Sequence, residues 1–302
     1  MNALFEVALF LALGRSLASI GRLPHETPSA LASWVLYAAW PAAAFQSALS
    51  VRVDAALLGG VAWLWGVFAV AIVAITIAIV AFGLRRPTAG AVLLASGAGS
   101  TAGFALPFIE QYCGTHCVAP AIVLSVLGGA LSFCVLGVAA SCILSQGRVC
   151  FAQVARRILT FPPMLGLVAG LVLPRDAIPQ FVQMAAHDLA ATLAPVAIVA
   201  MGMLLRGFPD RKRVLPIFAA LSFKLVLAPA AILLGVASIG PELGTFGKLL
   251  VLLAAMPPLI SSIALAREYE LEADLSAQIA AFGASIALVT VPAWGAVLEY
   301  LS

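Results

Sequence analysis

Apolar stretches of about 18 to 30 residues follow one another along this chain, separated by short polar breaks. Each is long enough to cross a hydrocarbon core of roughly 30 Å as an α-helix. The pattern predicts an all-α polytopic membrane protein with ten spans, near residues 3–21, 30–49, 56–83, 88–110, 118–144, 158–174, 181–205, 214–237, 247–266 and 275–298. No segment is left over for a soluble domain. A basic stretch, residues 145–157, separates a first group of five spans (1–144) from a second (158–302).

Composition agrees with that pattern. Of 302 residues only 10% are charged and 63% are hydrophobic, a balance that excludes a water-soluble domain of this size. Charge then orients the spans, because cytoplasmic loops retain Lys and Arg. Arg15, Arg22, Arg85, Arg86, Arg148, Arg156, Arg157, Arg206, Arg211, Lys212, Arg213 and Arg267 all flank odd-numbered loops, which is 12 of the 16 basic residues. Even-numbered loops hold Arg52, Arg175 and Lys248, so both termini are expected outside a plasma membrane of the bacterial inner-membrane type. Glu6 precedes the first apolar run while Arg15 and Arg22 follow it, the reverse of a secretory signal, so that run is expected to stay as a helix. The net charge of +3 serves topology and gives no reason to expect nucleic acid.

Five spans per half force the two halves into opposite orientations, the parity of an inverted repeat. Helix breakers recur at matching places: Pro41 and Pro195 in spans two and seven, Pro107 and the pair Pro257, Pro258 in spans four and nine. Counted from Arg86, the stretch from Gly97 to Gly103 lies about 16–25 Å into the membrane, and counted from Gly247, Pro257 lies about 15 Å in. Glycine costs a helix about 1 kcal/mol and proline about 3 kcal/mol. Such breaks persist in lipid only where protein or a wet cavity covers them, and interrupted helices meeting at mid-membrane are where carriers bind substrate. Close helix packing through small residues is the plainer alternative.

In order and spacing, several motifs together resemble the auxin efflux carrier family, which includes plant PIN proteins and bacterial carriers of malonate and malate. They are Leu253 to Pro258, followed by Ser261, Ser262, Leu265, Ala266 and Tyr269; Val291-Pro292; Ala194-Pro195 with Met201 to Leu204; Lys224-Leu225 with Pro229; and Phe161-Pro162. The resemblance implies two inverted five-helix repeats similar to bile-acid symporters, with broken crossing helices four and nine. It also implies elevator-like alternating access on a scaffold of spans one, two, six and seven. The family commonly has an Asn and then a Gly ahead of the span-four proline, where this chain has Ser100 and Ala105 ahead of Pro107. A hydroxyl in place of a carboxamide changes reach and donor geometry, so substrate identity does not transfer.

These readings predict a secondary transporter of a small organic anion, a carboxylate, with substrate-binding residues Ser100, Thr101, Gly103, Pro107, Lys224, Met256, Pro257, Pro258, Ser261 and Ser262. The hydroxyls are candidate donors, although Ser and Thr often bond back to their own helix. Lys224 lies 11 residues beyond Arg213, about 16 Å deep, where an ammonium faces a cavity or partner. Capping of broken-helix carbonyls is its alternative role. Neither an Asp nor a Glu occupies the central parts of spans three, four, five, eight and ten, which disfavours a cation exchanger and favours transport driven by membrane potential or the anion gradient.

A proton- or sodium-coupled symporter, a channel and a membrane-embedded enzyme are the other readings. No His-Glu-x-x-His or Gly-x-Ser-x-Gly occurs, so catalysis is not expected. His25, His116 and His187 all fall near span ends. Cys113 and Cys117 flank His116, a set short of a fourth metal ligand, so no metal or other cofactor is expected, and a disulfide between them stays open. The expected partners are the anion and membrane lipid, with a homodimer among the open assemblies.

Overall fold

The computed structural model describes residues 2–24, 26–97, 103–145, 151–205, 211–239 and 244–301. In chain order its helices are α1 (Ala3–Ser19), α2 (27–50), α3 (Ala55–Phe82), α4 (Arg86–Gly97), α5 (Ala105–Cys113), α6 (Thr115–Leu144), α7 (Phe151–Leu159), α8 (Pro162–Val172), α9 (Gln180–Met203), α10 (211–239), α11 (Gly244–Ala254), α12 (Ser261–Glu268) and α13 (Ala273–Tyr300). The described residues contain no strand. Five helices, α3, α6, α9, α10 and α13, are each long and apolar enough to cross a bilayer, while α8 and α11 are apolar but shorter.

The helix ends follow local chemistry. Asp54 accepts from the Leu57 N–H at 2.8 Å to start α3, and Gly83, in the left-handed conformation at φ 62°, ends it. The stretch 145–157, taken from sequence as a linker, becomes helical at Phe151 and continues to Leu159. There it stops, because Pro162 and Pro163 lack the N–H groups that would bond Ile158 and Leu159, and α8 begins afresh on them. Expected spans four (88–110) and nine (247–266) are each two helices separated by a break, α4 with α5 and α11 with α12.

The outer surface is apolar. Phe5, Leu9, Val80, Phe181, Leu215, Phe218, Leu234 and Val289 are each at least 66% exposed, a face suited to lipid tails. Inside, small residues let backbones touch, which is how helices associate where lipid removes the hydrophobic drive. A Cβ on Gly14 of α1 would stand 2.1 Å from the Val199 carbonyl oxygen of α9, and one on Gly202 of α9 would stand 2.3 Å from that of Leu11. Likewise Gly166 and Gly170 of α8 lie against the Pro41 and Phe45 carbonyls of α2, leaving a Cβ 2.2 and 2.5 Å. Helices α2 and α9 are tied by Trp34 Nε1 donating to Thr192 Oγ1 at 3.0 Å and Gln46 Nε2 donating to the Gln183 carbonyl at 2.7 Å.

Two π-helical turns organise the remaining helices. In α6 the turn at Ser125–Ala130 shifts the ladder by one residue, and Trp65 of α3 donates its Nε1–H to the Leu127 carbonyl at 2.9 Å. In α10 the turn at Phe223–Leu227 precedes Pro229, which cannot donate to Leu225. The Trp294 indole of α13 takes that freed carbonyl at 2.9 Å.

Candidate functional site

The site is assembled from the two interrupted segments. Helix α4 packs against α12 and α5 against α11, so the segments run antiparallel. At one end Thr88 Oγ1 donates to Glu272 Oε1, and the Leu271 side chain covers Gly90. Between the two ends the breaks meet. Gly103 from the first and Leu259, Ile260 and Ser261 from the second line one cavity of about 40 Å³, closed by Trp40 and its neighbours on α2 and by Ala197 of α9.

Each break has a local cause. Pro257 and Pro258 remove the N–H groups that would pair with the Leu253 and Ala254 carbonyls, and α11 accordingly ends at Ala254. Carbonyls therefore point into the break from α11, while the first amides of α12 are already engaged, Ser262 N–H donating to the Leu259 carbonyl at 3.1 Å and Ile263 N–H to that of Ile260 at 3.0 Å. Gly103 is held to glycine by contact: a Cβ would meet Ala197 Cβ at 2.4 Å and the Leu193 carbonyl oxygen at 3.0 Å. Pro107 is buried in the first turn of α5, where its missing N–H costs nothing.

Of the residues singled out from sequence, Gly103 and Ser261 share the cavity wall. The Ser261 hydroxyl makes no hydrogen bond among the described residues, whereas Ser262, fully buried, donates back to the Leu259 carbonyl at 2.7 Å and so has its proton committed. Met256, Pro257 and Pro258 are buried. The Pro258 ring packs on Gly283 of α13, where a Cβ would lie 2.6 Å from Pro258 Cδ and 3.0 Å from Leu221 of α10. Lys224 is one turn beyond Leu221, in the π-helical turn, and only 2% exposed. No hydrogen bond or ion pair reaches it among the described residues. Ser100 and Thr101 lie outside the described residues, as does His25.

Trp40 escaped the sequence reading. It is 3% exposed, stacks edge-on against Phe161 with ring centroids 5.8 Å apart, and its Nε1–H has no hydrogen-bond partner among the described residues. The available signal was its position: it sits about 20 Å along α2, near that helix's midpoint.

A membrane-facing exterior, two interrupted helices with adjoining breaks and a buried lysine coincide here. Residues 146–295 match a family model described as membrane transport protein, that of the auxin efflux carriers. Over this stretch the chain belongs to the auxin efflux carrier family. No curated protein matches it. Membership makes it an integral membrane transporter and places it in a family of transporters rather than of enzymes. The auxin efflux carrier match contains Lys224, Met256, Pro257, Pro258, Ser261 and Ser262; Ser100, Thr101, Gly103, Pro107 and Trp40 lie in the half it does not cover. Among the described residues no group of three His, Cys, Asp or Glu side chains is placed to hold a metal, and Cys113 and Cys117 are buried free thiols.

Proposed function

We propose that this transporter is a secondary carrier of a small organic anion, a carboxylate, which binds where the two helix breaks meet. The observation that carries this reading is Lys224: a buried ammonium inside a membrane with no anionic partner among the described residues. Insertion of such a charge costs about 2.5–3.5 kcal/mol, and an arriving anion offsets that cost. The Ser261 hydroxyl, which makes no hydrogen bond among the described residues, adds a donor for the same group.

An arrangement of two inverted five-helix repeats is supported by how the halves exchange helices. The first helix of each half packs on the second long helix of the other, α1 on α9 and α8 on α2, in each case through glycines. The α3–α6 and α10–α13 pairs each use an indole on a π-turn carbonyl. On this reading α1, α2, α8 and α9 form a scaffold and the other helices move as an elevator, in a plasma membrane with both termini outside. Net movement of one negative charge is driven by about 2.3 kcal/mol per 100 mV of potential.

Purified protein in proteoliposomes tests the proposal. Malonate, malate and acetate are the probes, and saturable uptake with counterflow of at least one, responsive to an imposed potential, is the expected result. Non-saturating conductance would make it a channel instead. Absence of flux for all three would remove the carboxylate from the reading.

A further inference from the structure

We infer that the groove between α10 and α13 seats one acyl chain of an anionic phospholipid, whose phosphate is held at the start of α10 by Arg211 and Arg213. The cavity there measures about 350 Å³ and shares no lining residue with the one at the helix breaks. Leu221 and Leu225, both buried, form its floor, while Val214, Phe218 and Ile286, each at least 43% exposed, form edges open to the bilayer. On α10 the lining residues Val214, Phe218, Leu221 and Leu225 recur every three or four positions and so hold one face of the helix. Followed back one turn, that face reaches Arg211, three residues before Val214. Arg213 stands one turn before Ile217, which also lines the groove. Arg211 is exposed and Arg213 half-buried, and neither has an ion pair among the described residues. The sequence adds Lys212 between them, against two acids in register with the groove, Asp210 before α10 and Asp274 two turns before Phe282. Three cations against two acids leave the mouth positive.

Depth and size select the occupant. From Val214 to Leu225 is a rise of about 16 Å, close to the roughly 15 Å of hydrocarbon in one leaflet. At roughly 30 Å³ for a group of water size, the cavity takes about 12 methylenes, which is most of one acyl chain. A helix from a second copy, about 10 Å across over the same length, would need roughly 1,250 Å³ and does not fit. A zwitterionic lipid offers the same chain, but its own ammonium offsets the phosphate, so the arginines favour a headgroup of net negative charge. The seat also backs the second break: a Cβ on Gly283 would stand 3.0 Å from Leu221 on the groove floor and 2.6 Å from the Pro258 ring. A lipid held there is independent of which solute the protein carries.

Native mass spectrometry of the delipidated full chain in detergent, titrated with dioleoylphosphatidylglycerol or dioleoylphosphatidylcholine, tests the seat. The wild type is expected to retain one phosphatidylglycerol in preference to phosphatidylcholine. Arg211→Gln and Arg213→Gln should each weaken phosphatidylglycerol about fivefold and leave phosphatidylcholine unchanged. Ile286→Trp fills the groove from its exposed edge and should abolish the retained lipid, whereas Val289→Trp, exposed on the same helix outside the lining, should not. Both arginine variants are changes near the surface, so they keep the test open if the tryptophan variant fails to fold. Equal retention of the two lipids by the wild type, or undiminished phosphatidylglycerol in the arginine variants or in a folded Ile286→Trp protein, overturns the seat. A lipid-free dimer that Ile286→Trp dissociates would overturn it too, by making the groove a subunit interface.

Discussion

Lys224 is the residue whose energetics are most exposed to test. A lysine that is 2% exposed and lacks a partner among the described residues weakens the empty protein and strengthens the anion-bound one. Removing its charge should therefore separate two roles. In Lys224→Gln the melting temperature is expected to hold or rise, because an uncompensated buried charge is gone, while carboxylate affinity falls by about tenfold or more. A lysine that capped broken-helix carbonyls would behave oppositely, losing stability first. Thermal unfolding and calorimetry on one preparation decide between them, and a stable variant with full affinity would end the substrate role. Lys224 was legible in the sequence because a charge in an apolar run is visible to anyone counting. Trp40 was not, since its apolar body satisfies the pattern and only packing reveals whether its N–H finds an acceptor.

At the scale of the element, the breaks matter more than the helices they interrupt. Pro257 denies Leu253 its helix partner and stops α11 at Ala254, which is what leaves room for Leu259, Ile260 and Ser261 to turn towards Gly103. Proline to alanine inside a helix is favourable by about 3 kcal/mol. Pro257→Ala is accordingly expected to insert and melt like the wild type or better, with proteoliposome flux reduced by at least about tenfold because the Leu253 carbonyl regains an N–H partner and turns from the break, while Pro258 still ends the helix. Undiminished flux would show that the break is a packing feature. The prolines announced these interruptions in advance. Their pairing did not follow from depth alone, which put both breaks near mid-membrane without saying that Gly103 and Ser261 would share a wall.

For the molecule as a whole, orientation is the open quantity, and α8 offers a sharp test because it is only 11 residues long. Thr160 and Asp176 are exposed at its two ends. In a background free of native cysteines, Asp176→Cys is expected to react with an impermeant thiol reagent on intact cells, while Thr160→Cys reacts only after lysis. Labelling of both on intact cells would show that α8 does not cross and would undo the placement of the termini. The α7 helix just before it is joined to the moving group in the proposed scheme by Arg157, whose guanidinium donates to both oxygens of Glu268 at 2.8 and 3.3 Å. That pair is partly solvated and contributes at most about 1 kcal/mol, so it positions the linker without locking it.

Sequence by itself determined that this chain lives in lipid, is helical, and breaks its helices ahead of Pro107 and at Pro257 and Pro258, because hydrophobicity and proline act locally and are read residue by residue. Its motifs also pointed to the family, which the match over residues 146–295 bears out. Only the tertiary structure decided which helices touch. In a bilayer no apolar stripe distinguishes a neighbour from a lipid tail, so partners are chosen by glycine contacts such as Gly14 with Val199 and Gly166 with Pro41, and by single hydrogen bonds such as Trp294 to Leu225. The cavity wall is the same kind of fact. Trp40 and Ser261 are separated by most of the chain, and their meeting follows from packing of whole helices, which no local pattern encodes.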